Sequence, residues 1–193
     1  MKVLLVASTK KEIEFHKNRD IETFILGIGI PNTILNLTRK LTCEKYDLVI
    51  NVGICGSFKK HLNIGDVVEV INDKFSELCY EDGAHINEFE SSYEIDTSFS
   101  VKPKTNLNHV KAITVNTVHG NEDSISKIIN RLNPDIETME GAAVFMVCKY
   151  FKIKCMQIRA ISNIVEKRNK EKWNIPLAIK NLSIELNKII TAL

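Results

Sequence analysis

Two segments in the second half of the chain combine residue types that can do chemistry. Residues 139–143 read Met-Glu-Gly-Ala-Ala and put the carboxylate of Glu140 where small residues open a helix. Residues 159–163 read Arg-Ala-Ile-Ser-Asn and end an apolar, strand-like run in the amide of Asn163. A carboxylate accepts hydrogen bonds from neighbouring hydroxyls, and an amide can both donate and accept. The pair would suit a pocket that holds a sugar joined to a flat base.

Glu12 is a third candidate, because it lies in the first turn of a helix expected over 9–18, directly after the first strand. A carboxylate at that edge of a sheet could take a proton from an attacking water. The spacing from Thr9 to Glu12 also fits a capping box, in which the glutamate bonds the backbone N–H of Thr9. Local sequence favours the cap, so a catalytic role for Glu12 depends on its neighbours.

The other candidates also have plain structural interpretations. A glutamate in a first turn, such as Glu140, is favoured by the helix dipole, and Asn163 is a common turn residue after a strand. Gly-Ile-Gly at 27–29 and Gly-Ile-Cys-Gly at 53–56 follow strands, and neither is the lysine-containing glycine motif that cradles phosphate. Each alone is best interpreted as a turn. Together at one edge of a sheet they indicate a rim of bare backbone for a flat ligand.

Strands and helices alternate along most of the chain, which predicts an α/β fold around a largely parallel sheet. Ligands of such sheets bind beyond the carboxyl ends of the strands, and four candidate segments follow Ala7, Leu26, Val52 and Ile161. The long polar stretch 76–108 is expected to hold one short strand. Apolar residues at helical spacing mark a C-terminal helix that begins at Ile175. The predicted strands are 2–7, 21–26, 46–52, 66–71, 110–115 and 153–161, and the other helices are 9–18, 31–42, 121–132 and 140–151.

Composition excludes several classes of protein. The 193 residues carry a net charge of +2 with no basic block, which argues against a nucleic-acid or membrane partner. The first apolar run is too short for a signal peptide. Five cysteines without a paired CxxC spacing favour reduced thiols and a cytoplasmic location. The histidines show no metal-ligand pairing, and Trp173 is interpreted as an anchor for the last helix.

These residues together resemble the nucleoside phosphorylase and nucleosidase superfamily, and especially its purine nucleosidases. The matching segments are 7–12, 27–29, 51–56, 139–143 and 159–163. The resemblance implies one domain over 1–193, with a central mixed, largely parallel, twisted sheet flanked by helices. It also implies that Glu12 is the general base for water and that Glu140 binds the ribose hydroxyls.

The same resemblance assigns the base-binding part of the pocket. Asn163 would handle the purine at N7, and Cys55 and Gly56 would line the purine, with Ile54 and Met139 also in contact with the substrate. No metal or organic cofactor is expected. A homodimer is expected, since members of the superfamily are generally oligomers.

The amide of Asn163 bears on specificity, because adenine-specific nucleosidases have an aspartate at this place. A protonated aspartate can donate to N7 and accept from a 6-amino group, whereas an asparagine offers donors to N7 and to a 6-oxo group. The sequence therefore favours hypoxanthine as the base. Segments 161–169 and 173–179 resemble the futalosine hydrolase family, which releases hypoxanthine from futalosine on a route to menaquinone.

Hydrolysis is favoured over phosphorolysis, because Glu12 puts negative charge where phosphate would sit. Four alternatives stay open. The first is a nucleosidase that acts on methylthioadenosine and S-adenosylhomocysteine, and the second is a nucleosidase that acts on aminodeoxyfutalosine. The others are a phosphorylase of 6-oxopurine nucleosides and a non-catalytic nucleoside-binding protein.

Overall fold

The computed structural model describes residues 1–16, 21–89 and 93–193. Four helices are present in these ranges: α1 (Ile30–Cys43), α2 (Glu122–Leu132), α3 (Gly141–Phe151) and α4 (Ile175–Thr191). Two 3-10 turns lie at Lys10–Glu12 and Lys170–Lys172. The strands are β1 (Val3–Ala7), β2 (Glu22–Ile25), β3 (Leu48–Ser57), β4 (Val67–Phe75), β5 (Tyr80–Asp82), β6 (His85–Asn87), β7 (Ser98–Ser100), β8 (Asn108–Thr114), β9 (Ile136–Thr138) and β10 (Lys154–Ile164).

The main sheet is mixed and largely parallel, which confirms the predicted fold class. Strands β2, β1, β3 and β10 are neighbours in parallel, and so are β4, β8 and β9. Antiparallel pairing of β10 with β4 and of β3 with β9 joins the two groups. Because β3 also pairs with β10, five strands close into a ring. This closure was not anticipated from the sequence.

Helices cover both faces of the sheet, and this explains why its central strands are apolar throughout. One core cluster joins the sheet to α1 and α3, with Leu37 and Phe145 among the buried side chains. The second joins the opposite face to α4 through Ala178, Leu182 and Leu186. Over the described ranges, no helix has the length and apolarity that crossing a bilayer requires.

The helix ends follow local chemistry. Pro31 occupies the first turn of α1, where its missing N–H has no helical partner to lose. Asn121 caps α2, and Asn174 caps α4 by accepting the N–H of Leu177 at 3.1 Å. The predicted helices 31–42, 121–132, 140–151 and the C-terminal one are confirmed to within a residue or two.

The helix predicted over 9–18 is wrong within the described residues, where a 3-10 turn at Lys10–Glu12 is followed by turns. Residues 17 and 18 of that prediction lie outside the described residues. A capping box stabilises only a first turn, and the apolar residues that follow, Ile13 and Phe15, are spaced two apart rather than at helical intervals. Both pack into the core cluster beside α4.

Several strand boundaries also differ from the prediction. Strand β3 runs on to Ser57, and β10 runs on to Ile164, so Gly53, Gly56 and Asn163 lie within strands. Ladder pairing between β3 and β10 continues through these positions and carries both strands past the glycines. Among its described residues, 76–89 and 93–108, the polar stretch holds three short strands, β5 to β7, rather than one. Strand β9 was not predicted, because it has only three residues.

Candidate active site

A cavity of about 420 Å³ opens where β1, β3 and β10 end and where α3 and α4 begin. The structure brings all the sequence-predicted site residues to this one cavity. They are Glu12, Ile54, Cys55, Gly56, Met139, Glu140 and Asn163. Their convergence follows from parallel strands, whose carboxyl ends meet at a common edge.

Strand β3 forms one wall of the cavity through Ile54, Cys55 and Gly56, and Gly53 precedes this stretch beside Glu12. Gly53 and Gly56 are three residues apart, so about 10 Å of extended backbone separates them. This span is close to the length of a ribosyl purine. We call the two ends of this stretch the Gly53 end and the Gly56 end.

The carboxylate of Glu12 is buried at the Gly53 end and is held at both oxygens. Its Oε2 accepts the backbone N–H of Thr9 at 2.9 Å and the Thr9 hydroxyl at 2.8 Å. Its Oε1 accepts the backbone N–H of Ile54 at 3.1 Å. The contact with the Thr9 N–H that the capping box predicts is therefore present. This contact orients the Glu12 carboxylate toward the cavity and leaves it within the site.

The guanidinium of Arg159 approaches Glu12 over Gly53. A side chain at Gly53 would place its Cβ 2.2 Å from Arg159 Nη1 and 2.7 Å from Glu12 Oε1. Only a glycine fits here, because the guanidinium occupies the space that a side chain would need. Arg159 is fully buried, and its Nε and Nη2 make no hydrogen bond with the described residues.

Glu140 lies directly before α3 and is buried. Its Oε1 accepts the backbone N–H of Gly29 at 2.9 Å. Gly29 precedes α1 with a φ of 88°, a conformation that favours glycine. This contact joins the 27–29 segment to the site and leaves Oε2 as an acceptor.

Asn163 lies at the Gly56 end, where the register between β3 and β10 shifts. Its Oδ1 is 2.8 Å from the hydroxyl of Ser162, which can donate to it, and its Nδ2 donates to Ile164 O at 3.2 Å. The amide has a second N–H to offer. A Cβ at Gly56 would lie 3.1 Å from Asn163 Nδ2 and 2.9 Å from Val165 Cγ2, so this glycine allows the amide to lie close to β3.

Cys55 lies between the two ends and contributes no charge. Burial raises the pKa of its thiol to about 12, although the positive charge of Arg159 opposes this shift. The neutral thiol donates to Ala160 O at 3.6 Å.

Two further pairs of residues line the cavity. His119 Nδ1 lies 2.6 Å from Glu137 Oε2, and the guanidinium carbon of Arg168 lies 5.3 Å from the centroid of the Trp173 ring. Sequence reasoning missed His119, Glu137 and Arg168, and it treated Trp173 only as an anchor. One feature of the sequence could have pointed to His119. The segment 116–121 follows strand β8 directly, and the other site segments also follow strands.

In the ranges 1–16, 21–89 and 93–193, no group of three or more His, Cys, Asp or Glu side chains is arranged to hold a metal ion. All five cysteines are free thiols. The polar side chains that line the cavity include carboxylates, an amide, an imidazole, a guanidinium and the ammonium of Lys11.

Comparison with known proteins identifies the class. Residues 22–191 match the sequence profile of the Phosphorylase superfamily. The chain belongs to this superfamily.

Among curated relatives, a 5′-methylthioadenosine/S-adenosylhomocysteine nucleosidase from Glaesserella parasuis is 27% identical over 86% of this chain and 78% of its own length. A nucleosidase of the same name from Psychromonas ingrahamii is 28% identical over 86% of this chain and 79% of its own. The predicted enzyme class, an N-glycosyl hydrolase, is the class to which these named relatives belong.

Solved structures share the fold. A futalosine hydrolase mutant of Helicobacter pylori superimposes with a TM-score of 0.87, with 16% identity over 100% of this chain and 99% of its own. A mutant 5′-methylthioadenosine/S-adenosylhomocysteine nucleosidase of the same organism, with 5′-methylthioadenosine in its active site, gives 0.87 with 15% identity and the same coverage.

Proposed function

We propose that the protein hydrolyses the N-glycosidic bond of futalosine and releases hypoxanthine. The observation that carries this proposal is the placement of Glu12, Glu140 and Asn163 around one cavity long enough for a ribosyl purine. In this reaction, Glu12 accepts a proton from the attacking water, Glu140 accepts hydrogen bonds from the sugar, and the amide of Asn163 binds the base.

Glu12 is the general base in this proposal. The attacking water would lie in the cavity against the carboxylate of Glu12. Glu12 takes one proton from the water as its oxygen bonds to C1′ of the ribose, and the bond from C1′ to the base breaks. The bonding pair leaves with the base, which then gains a proton. Positioned acid–base groups contribute about 10² to 10⁴ in rate.

Glu140 holds the ribose and stabilises its developing charge. The N–H of Gly29 fixes one carboxylate oxygen, so the other faces the 2′- and 3′-hydroxyls. Cleavage of the glycosidic bond gives the ribosyl group oxocarbenium character. A buried carboxylate beside that cation lowers its energy.

Asn163 supports a 6-oxopurine as the leaving base. Its carbonyl oxygen lies within reach of the Ser162 hydroxyl, so the amide N–H is the group left for the ligand. An N–H suits N7 or O6 of hypoxanthine, whereas the 6-amino group of adenine needs an acceptor. Leaving a buried polar group unpaired costs about 1–3 kcal/mol.

A second candidate is hydrolysis of methylthioadenosine or S-adenosylhomocysteine. The names of the curated relatives favour it, at 27% and 28% identity over most of the chain. The two candidates share the water and ribose chemistry and differ at the base and at the 5′ substituent. The amide of Asn163 is our reason for ranking futalosine first.

The experiment is one assay with five nucleosides: futalosine, aminodeoxyfutalosine, methylthioadenosine, S-adenosylhomocysteine and inosine, each with and without phosphate. We expect hypoxanthine from futalosine at a rate that phosphate does not change. Adenine released fastest from methylthioadenosine or S-adenosylhomocysteine would establish the second candidate instead. A phosphate requirement would mark a phosphorylase, and no release from any compound would favour a nucleoside-binding protein.

The proposal extends to a single nucleosidase-like domain over 1–193, to a cytoplasmic homodimer and to a role in menaquinone synthesis. These parts rest on the resemblance of the sequence to its superfamily. Light scattering of the purified chain would measure the oligomeric state.

A further inference from the structure

We propose that His119, held by Glu137, is a specificity-determining residue that reads the 6-substituent of the departing base. This inference rests on the proposed nucleosidase function and deepens it. It assigns a role to two cavity residues that the water and ribose chemistry does not use.

Glu137 fixes both the position and the orientation of His119. Oε1 of Glu137 accepts the backbone N–H of His119 at 3.2 Å, and Oε2 lies 2.6 Å from Nδ1 of the ring. The two side chains are 5% and 13% exposed. The ring of Phe58 meets the imidazole edge-on, with centroids 6.0 Å apart. A carboxylate, a backbone contact and an aromatic neighbour together leave the imidazole little freedom.

The pair lies at the Gly56 end, where the base is expected. A Cβ at Gly56 would be 3.1 Å from Asn163 Nδ2 and 3.6 Å from Glu137 Cγ. Asn163 and Glu137 therefore flank the same short piece of β3, and His119 contacts Glu137 from the loop after β8. A base that reaches Asn163 with N7 has its 6-position on the adjacent edge of the ring system.

The Glu137 carboxylate determines which nitrogen of the His119 ring carries a proton. Because ionised Glu137 only accepts, Nδ1 of His119 is the donor in this contact. The second nitrogen, Nε2, has no hydrogen-bond partner among the described residues. When the ring is neutral, Nε2 is an acceptor and matches a 6-amino group. When the ring is protonated, Nε2–H is a donor and matches a 6-oxo group.

The charged groups around this imidazole are few. Glu137 approaches from β9, and Arg168 approaches from the loop after β10, where its N–H donates to Gly120 O at 3.1 Å. Phe58, Val118 and Met139 pack against the small core cluster under this loop and add no charge. Glu77 approaches from the segment after β4, where it accepts the backbone N–H of Asn116 at 2.8 Å. The ratio of 6-oxo to 6-amino turnover should therefore fall as pH rises, because a neutral imidazole offers an acceptor at Nε2 where a protonated one offers a donor.

The test compares two pairs of substrates that differ at the 6-position, futalosine with aminodeoxyfutalosine and inosine with adenosine. We measure the ratio of kcat/KM within each pair from about pH 5 to pH 8, a range that spans the ordinary titration of histidine. The variants are His119→Phe, which cannot form the hydrogen bond, and His119→Gln, which can donate or accept. His85→Gln, on the exposed strand β6, is the matched control.

In the wild type and in His85→Gln, we expect the ratio to fall by about tenfold or more across this range, as the loss of a buried hydrogen bond predicts. His119→Phe should give a ratio that no longer changes with pH, and His119→Gln should restore part of the turnover without the pH dependence. The same ratio and pH profile in His119→Phe as in the wild type would overturn the inference.

Binding of free hypoxanthine and free adenine, measured by calorimetry, provides a readout that needs no turnover. The ratio of their Kd values should lose its pH dependence in His119→Phe, and an unchanged profile would count against the inference. Failure of the proposed function would look different. The wild type would then release adenine fastest from methylthioadenosine or S-adenosylhomocysteine, would require phosphate, or would release base from none of the nucleosides.

Discussion

The two ends of the cavity are built in different ways. At the Gly53 end, Glu12 and Arg159 are both buried, and Glu12 is held by backbone N–H groups of Thr9 and Ile54. At the Gly56 end, the polar groups are Asn163 and the pair His119–Glu137. The first end has fixed charge of both signs, whereas the second has groups that can exchange donor and acceptor roles.

This difference matches the demands of the proposed reaction. Activation of water needs one strong base in one place, whatever nucleoside is bound. Selection of a base needs donors and acceptors whose arrangement decides between similar ligands, and a mismatched buried group is what penalises the wrong one. We therefore expect changes at the Gly53 end to affect kcat on all substrates and changes at the Gly56 end to affect discrimination.

The largest effect should come from Glu12→Gln. Removing the base should lower kcat by about 10² to 10⁴ on every substrate, while the Kd for a nucleoside stays within a fewfold of the wild type. Single-turnover kinetics and calorimetry would measure the two quantities. Glu14→Gln, two residues along and exposed, is the control. Near-normal turnover in Glu12→Gln would remove Glu12 from the mechanism.

A matched pair of glycine variants tests the separation of the two ends directly. In Gly53→Ala, the new methyl would meet Arg159 Nη1 and Glu12 Oε1, and displacing a reacting group by about 1 Å can cost about 10² in rate. In Gly56→Ala it would meet Val165 Cγ2 and Asn163 Nδ2. We expect lower kcat from the first variant and altered base preference from the second. If both variants change the same kinetic parameter, the division of the cavity is wrong.

The sequence was sufficient to select Glu12 and Gly53, because each belongs to a local motif. Glu12 follows the first strand at a fixed offset from Thr9, and Gly53 lies in the apolar run of β3. The α/β class followed from the alternation of elements in the same way. The closed ring did not, since it depends on pairing of β3 with β10 across a hundred residues.

The Gly56 end was only partly predictable for a related reason. Asn163 was found through its place at the end of an apolar run, although it lies within β10 rather than after it. His119 and Glu137 are eighteen residues apart and come from a loop and a three-residue strand. Neither position has a periodic pattern, so only the folded chain brings them together.

A smaller effect, on preference rather than on rate, is expected from Asn163→Asp. An aspartate that is protonated can donate to N7 and accept from a 6-amino group, so the ratio of kcat/KM should move toward adenine nucleosides by about 10- to 100-fold. Inosine and adenosine assayed in parallel would measure the change. Asn169→Asp, in the exposed cap of the turn Lys170–Lys172, is the control. An unchanged ratio would mean that the amide does not read the base.

The smallest effect on turnover should come from Asp73→Asn, because Asp73 is buried and does not line the cavity. Its carboxylate accepts the Thr114 hydroxyl at 2.8 Å and Gln157 Nε2 at 3.0 Å. Burial raises its pKa from 3.8 to about 6, although hydrogen bonds from Gln157 and Thr114 oppose this. The folded state therefore holds the proton more tightly than the unfolded chain does.

The sign of the resulting pH dependence follows from linkage. The stability from the protonated carboxyl of Asp73 is fully present below about pH 4 and is lost as pH rises through about 6, a change of about 3 kcal/mol. Asp73→Asn stays neutral at every pH, so its Tm relative to the wild type should increase from about pH 4 to pH 8. Asp96→Asn, at an exposed ion pair with Lys149, should show no such trend. A flat difference in Tm for Asp73→Asn would mean that burial does not raise the pKa of Asp73 above its value in the unfolded chain.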